Sequence, residues 1–271
     1  MIDILSLGAG VQSSTILIMA CLGDLPKFEH AIFADPGWEP AAVYRHLDVL
    51  EDFAGGYGIK IHRVFNRNIK TDALTAQVRG KKAEGQHWAA LPYFTRQSDG
   101  KIGMIRRQCT SEYKIKPIHR KARELAGLKP GARVAAPVVR QWIGISIDES
   151  SRMRDPDNAW SVNYYPLIDL RMSRRDCLEY LELKGFSEVP KSACIGCPFH
   201  TDREWRRLKD TAPEEFEEAC QFDEAIRNCG GRRGQMFLHS SGLPLREVDF
   251  STAEERGQLN WLNECFGMCG V

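Results

Sequence analysis

At 271 residues the chain has room for one large α/β domain, or for a domain with a smaller appendage. A formal net charge of +1 excludes a global field that would draw DNA or a membrane surface, so any basic patch must be local. No apolar run reaches the length of a membrane span and Met1 leads straight into an expected strand, so a cytoplasmic chain with no membrane partner is expected.

Residues 2–21, IDILSLGAGVQSSTILIMAC, read as a buried strand, a glycine turn and a helix whose first turn is rich in hydroxyls. Such a turn aims free backbone N–H groups and the positive end of a helix dipole at an anion, most often phosphate. Gly8 and Gly10 let the backbone come close to a ligand, and Ser6, Ser13 and Ser14 add hydroxyl donors. A Walker loop needs a lysine that this stretch lacks. A dinucleotide fingerprint fits if Ser13 replaces its third glycine and Asp35 serves as the acidic partner. A lengthened pyrophosphatase loop (PP-loop) of ATP-adenylating enzymes fits Ser6-Leu7-Gly8 followed by Gln12-Ser13-Ser14. The stretch alone leaves those two readings open, beside that of an ordinary strand–turn–helix.

Residues 27–34 read as a second strand ending in DPGWEP, 41–53 as an amphipathic helix, and 59–65 as a third strand. Strand–helix–strand spacing predicts a doubly wound, mostly parallel sheet, with ligands beyond the strands' carboxyl ends, where both Gly8 and Asp35 fall. Residues 66–104 are mostly polar and read as a helix near 71–78 followed by a long excursion, a substrate lid or a disordered insertion. A cationic loop around Cys109 then leads into a basic helix from about Pro117. A strand over 141–145, a helix capped by Ser173, two further helices over 202–209 and 213–228, and a short strand at 236–239 complete the pattern. Residues 1–190 are expected to form the nucleotide-binding domain and 191–271 a helical region packed on it.

Nine cysteines cannot all pair within one chain, and in a reducing compartment they point to metal ligation, catalysis or burial. Cys194 and Cys197 form a CxxC unit that suits a metal, a cluster or a redox pair. Cys109 lies among Arg106, Arg107 and Lys114, a setting that favours its thiolate. Should the three converge, zinc would want a fourth ligand, with His200 well spaced for it, whereas a 4Fe–4S cluster would accept three and leave one iron open. Cys265 or Cys269 could complete either site, and Cys21 and Cys177 read as core residues.

Taken in order, LSLGAGVQSS, FADPGWEP, QCTSEYKIKPI, IGISIDESSRMR, YPLIDLRMSRRDCLEYL and CIGC resemble the PP-loop superfamily, and within it the phosphoadenosine-phosphosulfate (PAPS) reductase-like family. The resemblance covers most of the chain. It implies a Rossmann-like α/β fold of the adenine nucleotide alpha-hydrolase type, with a cysteine-bearing helical region at the C-terminal end. Ser6, Gly8, Gly10, Gln12, Ser13 and Ser14 would cradle phosphate, Asp35 and Gly37 would lie beside the nucleoside, and Arg152 would reach a phosphate or sulfate. Gln108 stands where a tandem cysteine pair would need its other member, which favours a three-cysteine site at Cys109, Cys194 and Cys197. Residues 263–269, NECFGMC, resemble the reductases' terminal Glu-Cys-Gly element with its glycine displaced by Phe266, which implies Cys265 as a nucleophile, a sulfur carrier or a fourth cluster ligand.

The function so implied is an ATP-dependent, adenylating sulfurtransferase with ATP, Mg2+ and a 4Fe–4S cluster (or zinc) as cofactors. Its partners would be a nucleotide or nucleic-acid acceptor and a sulfur donor or reductant protein, and a homodimer stays open. Arg106, Arg107, Lys114, Lys116, Arg120 and Arg123 could bind the acceptor, or simply form a solvated face. A sulfonucleotide reductase and a non-enzymatic, nucleotide-binding or zinc-stabilised module are the alternatives.

Overall fold

The computed structural model describes residues 1–78, 91–229 and 234–252. The chain divides into two compact units, residues 1–91 with 106–195 and residues 92–105 with 196–271.

The first unit is built on five parallel strands, β1 (Ile2–Leu7), β2 (His30–Asp35), β3 (Lys60–Phe65), β6 (Val139–Ile143) and β7 (Ser161–Tyr164), in the order β3-β2-β1-β6-β7. The alternation of β1 explains how helices come to cover both faces. Leu5 and Leu7 enter a core shared with α1 (Val11–Leu22), α2 (Ala41–Gly56) and α6 (Arg174–Leu183), while Ile4 faces Ile118 and Ala122 of α4 (Lys116–Leu125) and Trp160. The chain therefore winds from β1 through β2 to β3 and returns to lay β6 on the other side of β1. This reversal makes the carboxyl ends of β1 and β6 the topological switch point, the place where open α/β sheets bind ligands. The Rossmann-like expectation is met, and this sheet is parallel throughout rather than mostly so.

Eleven of the twelve residues of α1 are buried, so the helix is enclosed on all sides, and Gly23 ends it at a left-handed φ of 86°. In α2 only the stripe of Val43, Leu47, Leu50 and Ala54 is fully hidden, the mark of a helix covering one sheet face. Ser173 caps α6 through a reciprocal box with Asp176, as its spacing predicts. Cys21 and Cys177 lie in the core, where burial pushes each thiol up to about 11.

Residues 66–104 hold more regular structure than their polar composition suggests. Helix α3 (Ile69–Val78) opens the stretch, and the short strands β4 (Phe94–Arg96) and β5 (Ile102–Met104) close it. These two belong to the second unit, in an antiparallel sheet with β8 (Gln235–Phe237). Three-residue strands paired with a segment some 140 positions away leave no local pattern to read. In this unit α7 (Asp202–Thr211) and α8 (Pro213–Ile226) bury Trp205, Phe216 and Phe222. Asp223, fully buried, accepts from the Leu238 amide at 2.7 Å and the Leu245 amide at 3.0 Å and pairs with Arg227, so its charge is compensated.

On the α4 side of the first sheet His62 sits 3.3 Å from His30. Burial, helped by Lys121, His30 and Lys60, holds His62 down to about 4. The unfolded chain takes up a proton near pH 6.5 that folded His62 refuses, so stability is full above that pH and declines as pH falls toward 4. The urea midpoint should drop between about pH 7 and about pH 4.5, and drop less in His62→Asn.

Candidate nucleotide and thiol site at the carboxyl edge

The turn between β1 and α1 is drawn tight by its own groups. The Gly8 amide donates to Ser13 Oγ at 3.1 Å, and that hydroxyl donates to the Gly10 carbonyl at 3.2 Å. Ala9 takes a left-handed φ of 53°, unusual for a residue with a Cβ. Gly10 stands at the helix start with no side-chain cap, which leaves the amides of the first turn for a ligand. From the other side Gly144, just past β6, presses on the loop. A Cβ there would lie 2.8 Å from the Ser13 amide nitrogen and 3.1 Å from the Gln12 carbonyl carbon.

Gln12 is a strut rather than a free donor. Its amide nitrogen reaches Glu149 Oε2 at 3.1 Å and Ser146 Oγ at 3.4 Å, and its oxygen accepts from Arg174 at 3.0 Å. Arg152 pairs with the same Glu149 at 2.8 Å, its side chain 66% exposed. It therefore reaches the loop through a carboxylate. Arg174, which the sequence suggests only as part of a helix start, is the cation in direct contact with a loop side chain.

The second turn of the edge follows β2. Asp35 accepts from the Gly37 amide at 2.7 Å and the Tyr44 hydroxyl at 2.8 Å, and with burial it pushes that phenol well above its usual range. Gly37 has a φ of +73°, and a Cβ there would come within 2.8 Å of Asn68 Nδ2, whose side chain donates to the Gly37 carbonyl at 2.7 Å. Asp35 and Gly37 thus shape the turn beside the expected nucleoside position. Glu39, with a fully buried side chain, pairs with Lys114 at 2.7 Å through Oε1, while Oε2 has no hydrogen-bond partner among the described residues.

Lys114 ties the Cys109 segment to this turn. Cys109, half-buried, stands at the start of a six-residue π-helix, Thr110–Ile115, that runs directly into α4. Tyr113 in the same turn donates to Asp72 of α3 at 2.7 Å. Cys194 comes to the edge from another direction. Ser192 lies against Gly10, 3.7 Å from where a Cβ would stand, and the Ile195 amide donates to the Trp38 carbonyl at 2.9 Å.

No family model matches the sequence, and no curated protein matches it. Among solved structures the chain is similar to the U34-tRNA thiolase NcsA from Methanococcus maripaludis with its 4Fe–4S cluster. The sequence identity is 12% and the TM-score 0.37, over 97% of this chain and 82% of that one. A likeness of this degree carries no argument about chemistry, which rests on the geometry alone.

Of the residues singled out from the sequence, Gly8, Gly10 and Ser13 make the turn between β1 and α1. Ser14 does not face it; its hydroxyl lies 3.0 Å from His46 Nε2, buried between α1 and α2. Ser6 accepts from Gln141 at 2.5 Å. Cys197 falls in the second unit, and the His200 ring packs on Trp205 at 4.7 Å. Among the described residues no group of three or more His, Cys, Asp or Glu side chains gathers closely enough to hold a metal ion. No disulfide joins any of the seven described cysteines, and Cys265 and Cys269 lie outside the described residues. Among the described residues no helix is long and apolar enough to cross a membrane.

Proposed function

We propose that the chain is an ATP-dependent, adenylating sulfurtransferase of PP-loop type, acting on a nucleotide or nucleic-acid acceptor in the cytoplasm. One observation carries the reading: the segment bearing Cys194 is laid against Gly10 of the phosphate turn and fastened through Ile195 to the Trp38 carbonyl. A thiol beside an anion-binding loop is what activation by adenylation followed by sulfur attack requires.

ATP would enter with its phosphates on the amides of the turn between β1 and α1 and its adenosine beside Asp35 and Gly37. Magnesium would arrive on the phosphates and keep most of its waters. The acceptor oxygen attacks the α-phosphorus and pyrophosphate leaves, the fixed amide dipoles stabilising the charge that builds on both fragments. A hydrosulfide or a cysteine persulfide then adds to the activated carbon, and AMP departs with its electron pair. With a persulfide donor, a second cysteine thiolate breaks the S–S bond; the product keeps the outer sulfur, and the resulting protein disulfide needs a thiol reductant. Cys109 and Cys194, both carried to this edge, are the pair we assign to these steps. No step requires a metal–sulfur cluster.

Protein purified without oxygen should release pyrophosphate and AMP from ATP in the presence of the correct acceptor, supplied as nucleoside and oligonucleotide pools. Cys194→Ser should abolish thiolation, read by mass spectrometry of the acceptor, while keeping pyrophosphate release within about threefold. Reduction of adenylyl sulfate by thioredoxin, with no pyrophosphate formed from ATP, would assign the chain to sulfonucleotide reduction instead. Iron and sulfide analysis of the same preparation decides whether Cys109, Cys194 and Cys197 hold a cluster.

A further inference from the structure

Between the edge strand β3 and helix α4 runs a groove of about 510 Å3, and a second hollow of about 600 Å3 continues it around the end of α4. Arg120 and Glu124 line both, so the two form one track. It passes Lys60 and His62 and ends at Phe65 and Asn66, at the carboxyl edge of the sheet.

The charge along this track is unbalanced. Arg63 is neutralised by Asp48 and Glu51, and Lys121 by Glu124. Lys60, Arg120, Arg123 and Lys129 meet no carboxylate within ion-pair distance among the described residues. Arg123 is fixed by the carbonyls of Lys129 and Ala132, which hold its guanidinium without cancelling its charge. Charges on β3 alone could be explained as protection of a sheet edge, but those on α4 and the loop after it could not. Phe65 is 62% exposed, and its ring lies 3.0 Å from where a Cβ of Gly37 would stand. A large bare aromatic at the end of a cationic groove is the arrangement that takes a base on its face and the phosphates behind it. Hollows of this size admit single nucleotides in succession.

We propose that the β3–α4 groove binds a single-stranded nucleic acid, with its backbone along Lys60 and Arg120 and a base stacked on Phe65. The base then lies at the Gly37 turn, next to the place assigned to the adenosine of ATP. This names the acceptor of the proposed function and rests on that reading only for what happens after binding.

Fluorescence anisotropy of a labelled single-stranded oligonucleotide of mixed sequence, titrated with the full chain in the absence of ATP, tests the assignment. Because no ATP is present, a failure here is distinct from a failure to release pyrophosphate. Wild-type protein should bind the strand with an affinity that falls as salt rises. The double variant Lys60→Glu, Arg120→Glu should bind at least about tenfold more weakly and with a shallower salt dependence. Phe65→Ala should lose about tenfold while keeping the wild-type salt slope. Lys184→Glu, on the opposite face of the sheet, should bind as wild type does. Circular dichroism confirms that each variant is folded. The proposal fails if wild-type protein shows no salt-sensitive binding, if the groove variants bind as tightly as wild type, or if anionic vesicles are bound in preference to the strand.

Discussion

Lys114→Met is expected to unfold the first unit about 6–12 °C below wild type, the largest stability effect of any single change at the carboxyl edge. Glu39 is fully buried and Lys114 is 31% exposed, so removing the cation strands a carboxylate that water cannot reach. Breaking such a pair from one side costs about 3–5 kcal/mol, and the partial exposure of Lys114 places this case toward the lower end. The cost comes from the orphaned charge rather than from lost attraction. The double variant Glu39→Met, Lys114→Met should therefore recover most of the loss, which differential scanning calorimetry on the two variants would show. Cys109 gives a second readout. Without Lys114 its turn loses the tie to Glu39 and leans more on bonds such as Tyr113–Asp72, so alkylation of Cys109 should speed up. Unchanged melting in the single variant would mean that the ion pair does not hold the turn.

The second large effect belongs to Gly144→Ala. The added methyl would stand 2.8 Å from the Ser13 nitrogen, and the atoms it meets are backbone, which cannot swing aside. Overpacking of this kind costs about 1–3 kcal/mol, which the unit should survive. The proposed function should not survive, because the peptide displaced is the one whose amides would face the phosphates. ATP affinity, read by equilibrium dialysis, should fall at least about tenfold, with pyrophosphate release falling further as the amides lose their aim. Gly8→Ala offers the contrast, since a Cβ there would meet only Ser13 Oγ at an ordinary 3.7 Å. Its effect should be the smaller of the two.

How much of this the sequence discloses depends on how far apart the partners lie. The strand–turn–helix at residues 2–22, the turn after β2 and the capping box at Ser173 are written in adjacent residues, and each appears where its pattern places it. Gln12 looks like a phosphate donor in LGAGVQSS, yet its amide is taken up by Glu149 and Arg174, which lie 137 and 162 positions further on. Ser14 reads as a donor for the same reason, and only helix packing reveals that it faces His46. Glu39 and Lys114 are separated by 75 positions, so neither DPGWEP nor QCTSEYK announces the other. The π-helix after Cys109 has no periodicity distinct enough from an α-helix to be read in six residues. Gly144 is a bare glycine in QWIGIS, and its importance lies wholly in what stands opposite.

The enclosure of α1 has a consequence for how the turn that precedes it can fail. A helix with eleven of twelve residues hidden has no face from which it can fray, so its amide hydrogens beyond the first turn should exchange with deuterium only when the surrounding unit opens as a whole. The turn from Gly8 to Gln12 is rooted in that enclosed helix. Nucleotide occupancy should then slow exchange throughout the unit, far from the loop itself, because in such a construction there is no partial opening for the ligand to suppress.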